Sequence, residues 1–338
     1  MTTKENIIIN SFSNGDVIGL VEKGDKPKII QTQISRIFLF KDKAYKFYRH
    51  DNNDFNRLYF DLSNEISRKN FYIDDFYTNH YFSPSVYLKL IGINIDNLGS
   101  VSLVENTEKC FDLVIEMKRV DTKNNLTSRL REHNLGKDDA KYLGFEMTKA
   151  IDLFPHRPKT VKNYYEIMVN FLDDLYAFLR LADPNITKQE ADSIRSYLSN
   201  IIESKKGQYK VMSGHDFVNS IDNHSDNIFY DNKTITLLDS YLPVMNWRIT
   251  EPLYCIYRPA TDLAVWMGDD FKNSMLSGYI DYYKEGEIDL DSDRMYLVYF
   301  AAIRSAYFYL LFKESHLEDH RVMGDTYKKF ILSRLGNV

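Results

Sequence analysis

Glycine and proline are scarce in this chain, with 14 and 8 among 338 residues. So few glycines exclude a repeated glycine-rich element. No Walker A glycine-lysine motif occurs anywhere, which removes the P-loop ATPases. Two cysteines, Cys110 and Cys255, cannot build a disulfide framework, and reduced thiols in a cytosolic protein are the simpler reading. A basic surplus is also missing: Lys and Arg number 43 against 48 Asp and Glu, for a formal net charge of −5. That balance argues against a dedicated nucleic-acid binder. Residues 1–16 hold no long apolar run behind a basic start, so no secretory signal is expected and a cytoplasmic location is. One stretch, 295–312, is apolar enough to suggest a membrane span. Arg304 sits near its centre, where lipid would penalise it, and a buried helix is expected instead.

What is present is an ordinary globular composition, 44% hydrophobic and 27% charged, and unusually aromatic, with 25 Tyr and 21 Phe. The length suggests two lobes rather than one. Residues 17–50 read as short strands, with a hairpin of Ile37-Phe38-Leu39-Phe40 and Ala44-Tyr45-Lys46-Phe47-Tyr48 about the turn Lys41-Asp42-Lys43. Residues 60–82 carry helical periodicity that Pro84 ends. Further β-rich stretches lie at 86–93, 100–105 and 111–117. After Asn124 the pattern turns helical, over 126–135, 137–153, 161–181 and 187–204. A polar, irregular insert with β-like runs at 227–230 and 234–238 follows, then helices again from Pro259. The expected fold class is α+β: a small β-rich lobe over 1–118 and a larger, mainly helical lobe over 119–338 that carries a loop and hairpin at 212–240. Protein-kinase-like enzymes have this order, with ATP between the lobes.

The insert reads Ser220-Ile221-Asp222-Asn223-His224-Ser225-Asp226-Asn227, with Asp239 twelve residues past Asn227. Phosphoryl transfer from Mg-ATP needs a carboxylate to meet the incoming hydroxyl. It also needs a carboxamide and a second carboxylate to hold magnesium against the phosphates. Asp222, Asn227 and Asp239 supply these on neighbouring backbone. The bland alternative is that Asx-rich loops simply favour turns.

Five stretches make the chain resemble the aminoglycoside-phosphotransferase-like kinases over about residues 28–330. It looks closest to a bacterial branch whose kinase-like half is often fused to a P-loop ATPase. Thr32-Gln33-Ile34-Ser35-Arg36-Ile37-Phe38-Leu39 with Ala44-Tyr45-Lys46 is similar to the phosphate-covering hairpin and ATP lysine. Asp74-Asp75 and 79–88 resemble the end of the early helix and its following strand. Residues 113–120 resemble the hinge strand, and 145–156, ending at His156, the helix before the catalytic region. Asp222-Asn223-His224 with Asn227 is similar to the His-Gly-Asp-x-His-x-x-Asn loop, followed by Asp239 and Arg248. Residues 257–270 and 295–309 resemble the helical-lobe signature. The resemblance implies that Lys46, Asp74, Thr32, Ser35, Glu116 and Met117 serve the nucleotide. It makes Asp222 the catalytic aspartate and assigns Mg²⁺ to Asn227 and Asp239. Asp262 and Arg248 would brace the loop, and His224 would pack it.

Two departures stand out. The family's His-Gly is Ser220-Ile221 here, and the glutamate that pairs with the ATP lysine falls at Asp74, with Glu65 as a poorer-fitting substitute. A competing register places the catalytic aspartate at Asp216, after Gly214-His215, but the position five residues on is Ile221 rather than Asn. Asp222 is therefore preferred, with 212–221 as an insertion. The pair His316 and His320 could share a helix face, yet fits no zinc motif, and a charged surface helix is expected. Asp269-Asp270 could meet a cationic acceptor. The expected function is ATP- and Mg-dependent transfer to a small-molecule hydroxyl. The alternatives are a pseudokinase-like binding module and a protein kinase.

Overall fold

The computed structural model describes residues 3–20, 24–32, 34–50, 57, 59, 61–121, 125–155, 163–212, 216–284 and 286–336. Gln33, His156, Gly214 and His215, named above, lie outside them. By internal contacts the chain forms two compact units, Met1–Thr122 with Leu237–Pro243, and Lys123–Thr236 with Val244–Val338. The segment carrying Asp239 thus belongs to the β-rich unit.

The first unit runs α1 (Thr3–Asn14), β1 (Lys28–Gln31), β2 (Ser35–Leu39), β3 (Lys43–Tyr48), α2 (Glu65–Phe82), β4 (Tyr87–Ile95), β5 (Val101–Val104) and β6 (Asp112–Lys118). The strands make one six-stranded antiparallel sheet in the order β1-β2-β3-β6-β4-β5. Side chains alternate between the faces of a strand, and here both faces are covered. Tyr45 and Phe47 of β3 pack with Ile8 and Phe12 of α1. Ala44 and Tyr48 point the other way and pack with Phe71 and Tyr72 of α2. Lys46 shares that second face. The sequence reading expected a single helix here and missed α1. Its run of three isoleucines amid polar residues carries a weak helical pattern. One of its buried residues is Glu5, which accepts a bond from Arg36 Nη1 at 2.8 Å.

α2 begins at the cap Asn64, whose side chain accepts from Ser67 N at 3.0 Å, and closes at Ser83 just before Pro84.

The second unit contains α3 (Leu126–Arg131), α4 (Lys137–Asp152), α5 (Tyr164–Leu181), α6 (Lys188–Ser204), α7 (Lys206–Val211), β7 (Val218–Asn219), β8 (Ile228–Asp231), β9 (Thr234–Leu237), β10 (Ile249–Thr250), α8 (Pro252–Met267), α9 (Asp269–Tyr283), α10 (Leu290–Ser315) and α11 (Glu318–Leu335). β8 and β9 form a hairpin whose two turn residues, Asn232 and Lys233, both have positive φ, as a two-residue loop of matching twist requires. α4 and α9 meet at glycines. A Cβ on Gly144 would fall 1.9 Å from the Met275 carbonyl, and one on Gly278 2.1 Å from the Lys141 carbonyl.

α10 is long and apolar enough to cross a membrane by composition, and 78% of its most apolar window is buried inside the fold. Helix α10 ends with His316 in the left-handed region, φ 55°, and α11 begins two residues later. His316 and His320 therefore do not share one helix face. His320 Nδ1 lies 2.8 Å from the Ser315 hydroxyl.

Candidate functional site

The first unit gathers charge around Lys46. This lysine is 2% exposed on the face of β3 that α2 covers. Its Nζ lies 3.3 and 3.4 Å from the two Asp75 oxygens and bonds the Asp239 carboxylate. The expected partner, Asp74, is thus corrected to its neighbour. Adjacent residues on a helix point roughly 100° apart. Asp75 turns inward at 1% exposure, whereas Asp74 is exposed and accepts from the Tyr241 hydroxyl at 3.2 Å. Glu65 stands in the first turn of α2 and pairs with Lys69.

One turn along α2, Asn79 fixes both sides of this cluster. Its Nδ2 donates to Asp75 Oδ1 at 2.9 Å, and its Oδ1 accepts from Ser240 N at 2.6 Å. The Tyr87 hydroxyl accepts from Asp239 N at 2.8 Å, and the Ser83 hydroxyl donates to the Leu237 carbonyl at 2.7 Å. Residues 237–240 are therefore gripped along their backbone. The grip holds Asp239 at φ 52°, a left-handed conformation that costs a non-glycine residue about 1–2 kcal/mol. The result is a carboxylate with a 48% exposed side chain touching a lysine whose side chain is 3% exposed.

Burial works against the Lys46 charge, but Asp239 and Asp75 outweigh it and hold its pKa above the usual value. Burial pushes the Asp75 carboxyl up to about 6 against the pull of Lys46, and the Asp239 charge adds to the rise. Among the described contacts Lys46 faces both the Asp75 and the Asp239 carboxylates, and Asp239 is the exposed corner of the cluster. Among the described residues, no group of three or more His, Cys, Asp or Glu could hold an ion unaided. An ion at Asp239 must bring other ligands. That suits Mg²⁺, which takes one or two carboxylates and fills its shell with water and substrate phosphates.

The other expected nucleotide residues are placed differently. Thr32 and Ser35 flank the turn between β1 and β2, where their hydroxyls bond each other at 2.9 Å. The Thr32 oxygen also accepts from Ser35 N at 3.0 Å and Ile34 N at 3.3 Å. Ser35 is buried, and the amides of Ile34 and Ser35 are satisfied within the turn. Glu116 and Met117 lie inside the ladder, opposite Tyr45 and Ala44 on one side and Lys89 and Tyr87 on the other. Glu116 accepts from Lys43 Nζ and, at 3.2 Å, from the Tyr45 hydroxyl, and Met117 belongs to the core.

The second unit holds the loop 220–227. Its entry is the short β7–β10 ladder, and Ser220 N donates to the Arg248 carbonyl at 2.7 Å. The Ser220 hydroxyl accepts from the Cys255 thiol at 3.3 Å, and Ile221 is fully buried. Asp222 Oδ1 accepts from Arg258 Nη1 at 2.9 Å, and the Asp222 carbonyl accepts from Asn227 Nδ2 at 2.8 Å. The structure thus brings Asp222 and Asn227 together. Asp216 is exposed. Asn223 points into the core and donates to the Cys255 carbonyl at 3.0 Å.

The loop's exit is anchored from α8 and α10. Asp262 Oδ2 accepts from Ser225 N at 2.9 Å, so Asp262 does brace the loop. Arg304 Nη2 donates to Asp226 Oδ2 at 2.6 Å, and its Nη1 lies 3.3 Å from His224 Nδ1. Burial would raise the Asp226 pKa, but Arg304 and His224 outweigh it and lower it to about 2. The sequence reading noticed Arg304 only as an objection to a membrane span. A buried arginine inside an apolar helix was the available signal that a carboxylate awaited it. Asp269 and Asp270 pair at the surface with Arg334 and Lys137, both at 2.7 Å.

No protein-family model matches the chain, and no curated protein matches its sequence. Solved structures do match. A choline/ethanolamine kinase family protein from Mesorhizobium loti is 12% identical, with 97% of this chain and 95% of that one covered at a TM-score of 0.50. An ethanolamine kinase from Plasmodium vivax is 13% identical, with 93% and 84% covered at a TM-score of 0.53. These likenesses establish the fold as α+β and protein-kinase-like, with a β-rich first unit and a mainly helical second one.

Proposed function

We propose that this chain is an ATP- and Mg²⁺-dependent phosphotransferase of the aminoglycoside-phosphotransferase-like kind, transferring the γ-phosphoryl group to a hydroxyl of a small molecule. The observation that carries the proposal is the buried Lys46, tied to Asp75 of α2 and to a strained, half-exposed Asp239. A lysine in a fully buried position between two carboxylates is costly to maintain for structure alone. The fold supports the reading, since both named structural neighbours are described as kinases.

In this reading Lys46 meets the α/β-phosphates as a point charge, and Asp75 takes the place expected of Asp74 in fixing it. Asp239 and Asn227 would hold magnesium, which when bound supplies positive charge against the phosphates. Asp222 orients the acceptor hydroxyl and takes its proton. The acceptor oxygen bonds to the γ-phosphorus while the bond from that phosphorus to the ADP oxygen breaks.

One observation favours a second reading, a nucleotide-binding module with little transfer. Thr32 consumes the amides of Ile34 and Ser35, so that turn does not offer them to phosphates. A thermal-shift comparison of the parent chain and Asp239→Asn with Mg-ATP tests both readings. The parent should be stabilised, and the variant much less. No shift under any metal condition sinks nucleotide binding. A shift without transfer of label from ATP to a broad hydroxyl panel favours the module.

A further inference from the structure

Arg258 stands out among the residues around Asp222. It lies on α8, is 8% exposed, and its guanidinium sits 5.3 and 5.2 Å from the ring centroids of Tyr254 and Phe300. Its one described hydrogen bond is to Asp222 Oδ1, and its Nε finds no partner among the described residues. A guanidinium buried against two aromatic rings is restricted in where it can move. It therefore restrains whatever carboxylate it holds. The other Asp222 oxygen is differently placed. His224 Nε2 is 3.9 Å from Oδ2, beyond hydrogen-bond reach.

We infer that Arg258 is a positioning residue for phosphoryl transfer: it clamps Asp222 by Oδ1 so that Oδ2 is the oxygen that meets the acceptor hydroxyl. The inference rests on the phosphotransferase reading. Without the clamp, a carboxylate on a loop with about a third of its side chain exposed would turn among rotamers. A misplacement of about 1 Å in a reacting group costs on the order of 100-fold in rate.

The test uses the full chain with Mg-ATP, water serving as acceptor and ADP release as readout. Arg258→Met should lower kcat on the order of 100-fold with the KM for ATP nearly unchanged. Arg258→Lys, which keeps the charge but loses the fork, should recover part of that loss. A second readout needs no nucleotide. In urea unfolding, the drop in midpoint caused by Arg258→Met should shrink when Asp222 is already Asn. Parent-like kcat in Arg258→Met, or a loss confined to KM, overturns the role while leaving the phosphotransferase reading intact. Should Arg258→Met not fold, Arg258→Lys decides alone: unchanged kcat overturns the role, and reduced kcat at constant KM supports it. A parent chain that binds no Mg-ATP, or transfers label from bound ATP to neither water nor a broad hydroxyl panel, overturns the reading and the role together.

Discussion

Replacing Asp75 with asparagine should leave the ligand-free protein at least as stable as its parent at pH 7, although it removes a buried charged partner. Asp75 is 1% exposed, and burial with the Asp239 charge nearby raises its carboxyl from 3.8 to about 6. A rise of that size amounts to about 3 kcal/mol against the ionised form. Asparagine removes this term and can still face Asn79, while Lys46 keeps Asp239 as its partner. Allowing about 1 kcal/mol for weakened hydrogen bonds, the variant gains about 1–2 kcal/mol at pH 7. The sign has a pH signature. The folded carboxyl keeps its proton up to about pH 6, whereas the unfolded one releases it near 3.8. The parent therefore loses stability as pH rises through that window, and Asp75→Asn does not, so the two converge near pH 4. Urea unfolding at several pH values gives the difference. Amide exchange in α2 and β3 assigns it to the first unit, which matters because a chain of two units need not unfold in one step. ATP turnover should fall in the same variant, the usual opposition of stability and function at a charged site. A loss of more than about 2 kcal/mol at pH 7 would show that the Lys46–Asp75 attraction outweighs burial, and the reasoning would fail.

Arg304→Met should cost about 3–5 kcal/mol in thermal or urea unfolding, because it strands the carboxylates of Asp226 and Asp262. The Asp226 carboxyl, lowered to about 2, contributes stability that is full above the ordinary carboxylate range near 4 and is lost as pH falls through about 2. Asp226→Asn should flatten that acid limb, and an unchanged limb would refute the pairing. Gly144→Ala should cost about 1–3 kcal/mol through overpacking, since its methyl would meet the Met275 carbonyl of α9; a neutral melt would show that the two helices can part freely.

Much of the element order was legible because apolar spacing reports it directly. The hairpin of β2 and β3, the helix ending before Pro84, and the long buried α10 all follow from period and punctuation. The site was legible only in part. Asp222, Asn227 and Asp239 could be singled out by residue type and spacing, and Lys46 by the family resemblance. The choice between Asp74 and Asp75 could not, because one step along a helix turns a side chain by roughly 100° and both residues are acids. Arg258 and Arg304 act through partners 36 and 78 residues away in sequence, and no local pattern encodes such a meeting. Glu116 and Met117 show how little a strand pattern says of side-chain partners. Their stretch resembles the hinge strand; the ladder pairs both residues on both sides, and Glu116 also bonds Lys43 and Tyr45.

The departures at Ser220 and Ile221 bear on whether the loop has decayed. Here Ile221 is fully buried, the Ser220 hydroxyl is bonded to the Cys255 thiol, and the Ser220 amide is bonded to the Arg248 carbonyl. Downstream, Ser225, Asp226 and Asn227 are each tied to a named partner. The loop is closed by an apolar residue and by these bonds, and Asp222 is bonded to both Arg258 and Asn227. Arg258 is a buried guanidinium whose one described hydrogen bond is to that aspartate. The residues at 220 and 221 thus support the loop by burial and backbone bonding, and the bonds to Asp222 come from Arg258 on one side and Asn227 on the other.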